Sequence, residues 1–229
     1  MRMKRTTVLL LSFLLIWTAC HRPSGSRIEG KILGLNKGTV YLKIFDTDST
    51  TRAVDSVHIK GDPSFTFDLD GLEPQLMVLE VKEKPGDYLL FFSDDTVMHI
   101  YTQLDKFGVA KRLEGGPNLR HWQAYKDMLV QYNNQKLELT KQGYEAYRRK
   151  DTAAIHRINR ELYSVEKRRK LYAMNFALTP PFIPVKAYVA YTELQNNPQA
   201  LDTIYKAWPQ DLRQSLYGKK IDSLLSAKR

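Results

Sequence analysis

The chain has 229 residues, enough for two small domains or one larger body, and its formal charge is +10. One cysteine, Cys20, excludes an internal disulfide, a Cys-x-x-Cys redox pair and a thiolate metal centre. The charge is uneven: residues 20–110 hold 10 basic and 14 acidic side chains, residues 111–229 hold 22 and 11, the second balance being that of helices with Lys/Arg-rich solvent faces.

Residues 1–19 read as a leader. Arg2, Lys4 and Arg5 precede the apolar run Val8–Trp17, about ten residues long and short of the ~20 that a permanent membrane helix needs. Small Thr18 and Ala19 then lead into Cys20 and the polar stretch after it. This layout resembles a bacterial lipoprotein signal, with Trp17 where that family usually has Leu. The resemblance implies cleavage before Cys20, a diacylglycerol on its thiol and a short linker over residues 20–25. His21, in place of the Asp of the inner-membrane retention rule, implies the outer membrane, and the lack of a following acidic cluster implies its periplasmic face. An exported chain of this kind is not expected to meet nucleic acid.

Residues 26–115 read in strands. Ile28–Leu33 and Val40–Phe45 flank Asn36-Lys37-Gly38, which signals a hairpin. Val54–Ile59, Phe65–Leu69, Leu76–Val81, Tyr88–Phe92 and Val97–Tyr101 follow, broken at Gly61-Asp62-Pro63, Lys84-Pro85-Gly86-Asp87 and Ser93-Asp94-Asp95. About eight short strands with no helical period between them predict an antiparallel β-sandwich or barrel.

Residues 116–229 change period after Gly115-Gly116-Pro117-Asn118. Trp122, Tyr125, Leu129 and Tyr132 recur at spacings of three and four, and so do Ile155, Ile158, Leu162, Val165, Tyr172 and Phe176 behind an N-cap at Asp151. The two stripes predict an α-helical hairpin turning at Arg149-Lys150-Asp151. Thr179-Pro180-Pro181 ends it, and shorter helices are expected at Val185–Gln195, Gln199–Ala207 and Gln210–Leu225. The fold class expected for the whole chain is α+β.

Several stretches carry a second resemblance: Ile28-Glu29-Gly30-Lys31-Ile32, Gly38-Thr39-Val40-Tyr41-Leu42, Asp55-Ser56-Val57 and Phe65-Thr66-Phe67. Residues 26–115 look like the domain of unknown function that precedes the thioredoxin-like domain in TlpA-type thiol-disulfide oxidoreductase lipoproteins. Gly115–Tyr125, Pro184–Val189 and Trp208–Lys220 resemble the helical spacer of that family. No residue here matches the family's Cys-x-x-Cys, so its activity does not carry over.

Candidate chemistry is sparse. His21, His58, His99, His121 and His156 lack the spacing of a metal-ligand set, although His58 and His99, both in expected strands, could meet across a sheet. Asp46-Thr47-Asp48 and Asp94-Asp95 read as solvated turns rather than a Ca²⁺ loop. No nucleophile elbow, phosphate loop or dinucleotide fingerprint occurs, so no catalytic, metal or cofactor residue is assigned. Trp122, Tyr125, Tyr132 and Tyr172 read first as core, and alternatively as a partner surface that a lone hairpin would leave uncovered. The functional expectation is a non-catalytic, lipid-anchored binding or scaffold module. Its alternatives are an accessory that docks a separate thioredoxin-like partner, and an unrecognised hydrolase.

Overall fold

The computed structural model describes residues 25–227 except Asp48, so the leader and Cys20 lie outside the described residues. Eight strands come first: β1 (Arg27–Leu33), β2 (Lys37–Phe45), β3 (Thr51–Lys60), β4 (Ser64–Asp68), β5 (Leu76–Val81), β6 (Tyr88–Phe92), β7 (Val97–Gln103) and β8 (Arg112–Glu114). They form two four-stranded sheets, ordered β4-β1-β7-β8 and β3-β2-β5-β6. The α+β class is therefore correct and a closed barrel is not.

Two local expectations need correcting. The chain does not fold back at Asn36-Lys37-Gly38, because β1 and β2 belong to different sheets. Gly34 turns with φ +89°, a conformation that favours glycine, and Leu35 then drops into the core, so the connection crosses between sheets. Nor is the domain wholly antiparallel. β1 runs parallel to β7, with Ile28 beside Met98 and Ile32 beside Thr102, and antiparallel to β4 on its other side. Period-2 alternation predicts which face is apolar, but both pairings bury the same face of β1.

Six helices follow: α1 (Pro117–Arg148), α2 (Thr152–Leu178), α3 (Pro184–Leu194), α4 (Pro198–Ala207), α5 (Gln210–Gln214) and α6 (Leu216–Ser226). α1 and α2 make the expected hairpin. Lys150 takes φ 56° in the turn, and the Asp151 carboxylate accepts from Ala154 N at 2.9 Å, capping α2. The single helix expected over Gln210–Leu225 is two pieces. Ser215 interrupts it in an extended conformation, and its hydroxyl caps α6 at Gly218 N.

The sheets and helices share one continuous hydrophobic core. β5 shows why: Leu76 to Leu79 are all buried, as expected of a strand covered on both faces. Phe92, at the end of neighbouring β6, brings its ring within 6.5 Å of Trp122, 5.6 Å of Tyr188 and 6.1 Å of Tyr217. The Tyr217 hydroxyl accepts from Leu76 N at 3.3 Å, which ties α6 to the sheet. Burying an aromatic side chain of this kind contributes about 2–3 kcal/mol.

The joint itself is polar. α1 opens with Gly116 and Pro117, neither of which can cap it, so its first amides would be buried without partners. Asp94, in the turn after β6, supplies them: its carboxylate accepts from Asn118 N (3.2 Å), Asn118 Nδ2 (3.3 Å) and Leu119 N (2.8 Å). Asn118 passes the link on, its Oδ1 accepting from Val185 N at 3.0 Å in the first turn of α3. A Cβ at position 116 would stand 2.6 Å from Asp94 Oδ1, so only glycine lets the carboxylate approach. Burial pushes the Asp94 carboxyl above its usual range, against the opposing pull of those donors.

Asp94→Ala is expected to lower unfolding stability by about 2–3 kcal/mol, a lost cap plus amides left unsatisfied. Asp94→Asn, which keeps one acceptor oxygen, should lose less. Urea unfolding followed by circular dichroism measures both, and equal stability of Asp94→Ala and the parent would remove the joint's importance.

Candidate functional site

The root of the hairpin is an aromatic layer. Trp122 and Tyr125 stack at 6.4 Å, Tyr125 lies 5.8 Å from Tyr172 and 5.0 Å from Phe176, and Tyr132 meets Tyr172 at 6.3 Å. Trp122 and Tyr125 are 5% and 1% exposed, while Tyr132 and Tyr172 are part-buried. The partner-surface alternative is thus corrected for Trp122 and Tyr125. The stripe is not that of a lone hairpin, since Phe92 and α3 close over its first two turns.

Charge is handled at the same level. Arg169, in the apolar stripe of α2, donates from Nη2 to Glu193 Oε1 of α3 at 2.8 Å. Burial alone would pull the guanidinium pKa down, but the Glu193 bond and the Glu193 and Glu166 charges hold it above its usual value. Burial first, and the Glu193 carboxylate second, push the Tyr125 hydroxyl up. Lys186 of α3 is buried as well, donating to Thr179 O at 3.0 Å with its ammonium 4.1 Å from the Phe176 ring centre. Burial lowers its pKa. Arg169, Glu193 and Lys186 thereby hold helix ends and helix pairs together.

Two surface features remain. A cavity of about 140 Å³ sits where the ends of β2 and β5 meet α3 and α6, lined by Phe45, Leu76, Tyr188, Tyr191, Tyr217 and Lys220. The Lys220 ammonium lies 5.6 Å from the Tyr191 ring centre and 5.4 Å from that of Tyr217. The larger feature is the arm. α1 has 32 residues, so it is about 48 Å long. Its outer part packs on α2 alone, through a separate small cluster of Ala146, Ala154 and Ile158 with Leu139, Ile155 and Leu162 around it. An open groove of about 590 Å³ runs along one side, with Leu139 and Val165 at its base and Glu138, Glu161 and Arg168 on its walls.

The remaining candidates do not assemble. His58 and His99 are not neighbours, because β3 and β7 lie in different sheets. His58 Nδ1 is 3.0 Å from Thr39 Oγ1, and His99 Nδ1 is 3.8 Å from Glu29. Asp46 pairs with Arg52 at 2.7 Å, and Asp48 lies outside the described residues. Asp94 is not a solvated turn residue but the buried cap of α1. Its partners lie 24 and 25 residues away, so no local pattern points to it. Among the described residues, no three His, Cys, Asp or Glu side chains converge as a metal set.

The β half matches a known family model. Residues 26–122 match the model of a domain of unknown function, DUF4369. The match runs past β8 into α1 as far as Trp122, and so takes in both ends of the Asp94–Asn118 contact. No curated protein and no solved structure matches the chain.

Glu193→Ala is expected to cost about 1–2 kcal/mol, because it strands a half-buried guanidinium. Replacing both partners (Arg169→Met with Glu193→Leu) should restore most of that loss. A double-mutant cycle in urea measures the coupling, and additive single effects would count against it.

Proposed function

We propose that the protein is a non-catalytic binding or scaffold module, tethered to the outer membrane at the periplasmic face through Cys20, which holds out its α1–α2 arm for a protein partner. The observation that carries this reading is the arm itself. A hairpin needs far less length than 32 residues to close on its own root, yet this one continues beyond the shared core with a charged groove along it. The polar groups at the joint also favour a structural reading: Asp94, Asn118, Arg169 and Glu193 are engaged with helix ends and with one another.

A separate thioredoxin-like protein is the narrower form of this proposal. It rests on the resemblance to TlpA-type lipoproteins, in which a thioredoxin-like domain follows this region.

Two measurements test the reading. Cys20→Ala is expected to abolish fatty-acid labelling and move the protein from the membrane to the soluble fraction; unchanged labelling and fractionation would refute the tether. Reversing the groove with Glu161→Lys and Arg168→Glu, both at surface positions, should cut recovery of cross-linked envelope partners at least about tenfold, as expected for an interface whose register is set by charge. Equal recovery would show that the groove is not the docking site.

A further inference from the structure

The two broad sides of the arm are chemically different. Gln135 and Arg168 each come just before a position of the inter-helix seam, Lys136 and Arg169, and they meet at 3.4 Å on the groove side. Residues that come just after a seam position face the opposite side, because the helices are antiparallel and each residue turns by about 100°. The large apolar ones on α1 are Val130, Leu137 and Tyr144, seven residues apart, with Tyr147 one turn beyond; on α2 the large apolar one is Tyr163. Their exposures are 54%, 54%, 63%, 73% and 74%. The residues between them include polar Asn133, Thr140, His156 and Asn159, and Glu166 and Lys170 of α2 add one charge of each sign.

The edges of this strip carry one sign. Lys141 and Arg148 lie along the outer edge of α1, Arg160 and Lys167 along that of α2, all exposed. Among the described residues Lys141, Arg160 and Lys167 make no ion pair, and Arg148 reaches Glu145 only at 4.0 Å. The acid on the strip is Glu166, held by Arg169 at 4.0 Å, and Asp127 lies at the arm's root.

We propose that this strip is a contact surface for an anionic lipid layer, with the tyrosines and Leu137 at the headgroup boundary and Lys141, Arg148, Arg160 and Lys167 on the phosphates. An apolar and tyrosine strip flanked by basic side chains is the pattern of a helix that lies in a membrane interface. No described helix is long and apolar enough to cross a membrane, so the contact is with the surface. A lipid layer also fits better than a protein. The arm's groove, which a partner side chain would fill, opens on the other side, and a second copy would set basic edge against basic edge. The contact is independent of the Cys20 tether.

The test uses residues 20–229 carrying Cys20→Ala, which have no acyl chain but keep every described residue of the core. Co-sedimentation is measured with vesicles of about one-third phosphatidylglycerol in phosphatidylcholine, and with phosphatidylcholine alone. Binding to the anionic vesicles should be at least about tenfold tighter, and should weaken strongly between about 50 and 500 mM salt. The reversal Lys141→Glu, Arg160→Glu and Lys167→Glu should abolish it. Serine at Tyr144, Tyr147 and Tyr163 should weaken it at least about threefold while circular dichroism and the urea midpoint stay unchanged. Equal binding by the parent and the charge-reversed variant overturns the proposal. So does full affinity in the serine variant, or failure to bind anionic vesicles at low salt. Loss of a cross-linked protein on mutating the strip, with vesicle binding absent, assigns it to a protein instead. The groove variants are scored separately, so failure here leaves the reading of the opposite side standing.

Discussion

Everything beyond the β-sandwich hangs on one carboxylate. A helix that begins with Gly116-Pro117 cannot cap itself, and here its first amides enter a buried joint where water cannot serve them. Asp94 reaches across from the other half of the chain, places negative charge at the positive end of the α1 dipole, and accepts two amides and a side-chain N–H at once. Because Asn118 hands the link to Val185, the same contact fixes where α3 starts. The angle at which a helix about 48 Å long leaves the body is thereby set by a few hydrogen bonds at its base, where a small change in angle moves the tip furthest.

The outer arm is stabilised differently. Its seam is small residues near the tip, Ala146 and Ala154, and then Ile158, Leu162 and Leu139. A seam this narrow buries little area, so helix propensity and surface pairs such as Arg157–Glu161 must supply part of the stability, each pair adding only a few tenths of a kcal/mol. The arm is consequently the element whose opening should cost least. The joint and the aromatic layer should be among the last to open.

How much of this was legible in the sequence depended on the range of the interaction. Asp151 was readable as a cap because the amide it serves is three residues away, and the hairpin because its stripes repeat at the helical period. Strand positions were readable from alternation, but sheet membership was not: Ile28 and Ile32 show an inward face without saying whether β2 or β7 lies alongside. Leu35, a lone apolar residue just before Asn36-Lys37-Gly38, carries no period that marks it as core, yet it is buried. Trp122 and Tyr125 could not be separated from Tyr132 and Tyr172 by spacing. What separates them is whether Phe92 and α3 reach that level of the stripe, a fact of topology. Asp94 lay beyond local reading altogether, its chemistry indistinguishable in sequence from that of any turn aspartate.

If both the tether and the strip operate, they do different work. Several acyl chains on Cys20 would already exceed the two-signal threshold for stable attachment, so a further surface contact would add little to residence time. Once the body is held near the bilayer, however, the second contact becomes intramolecular, and even a weak strip is then populated because its effective concentration is high. Its consequence would be orientation. With Val130, Leu137 and the tyrosines toward the lipid, the antiparallel geometry of α1 and α2 turns Gln135, Glu138, Glu161 and Arg168 away from it. The groove proposed for a protein partner would then face the periplasm, and the rigidity of the Asp94 joint would transmit that orientation to the β half.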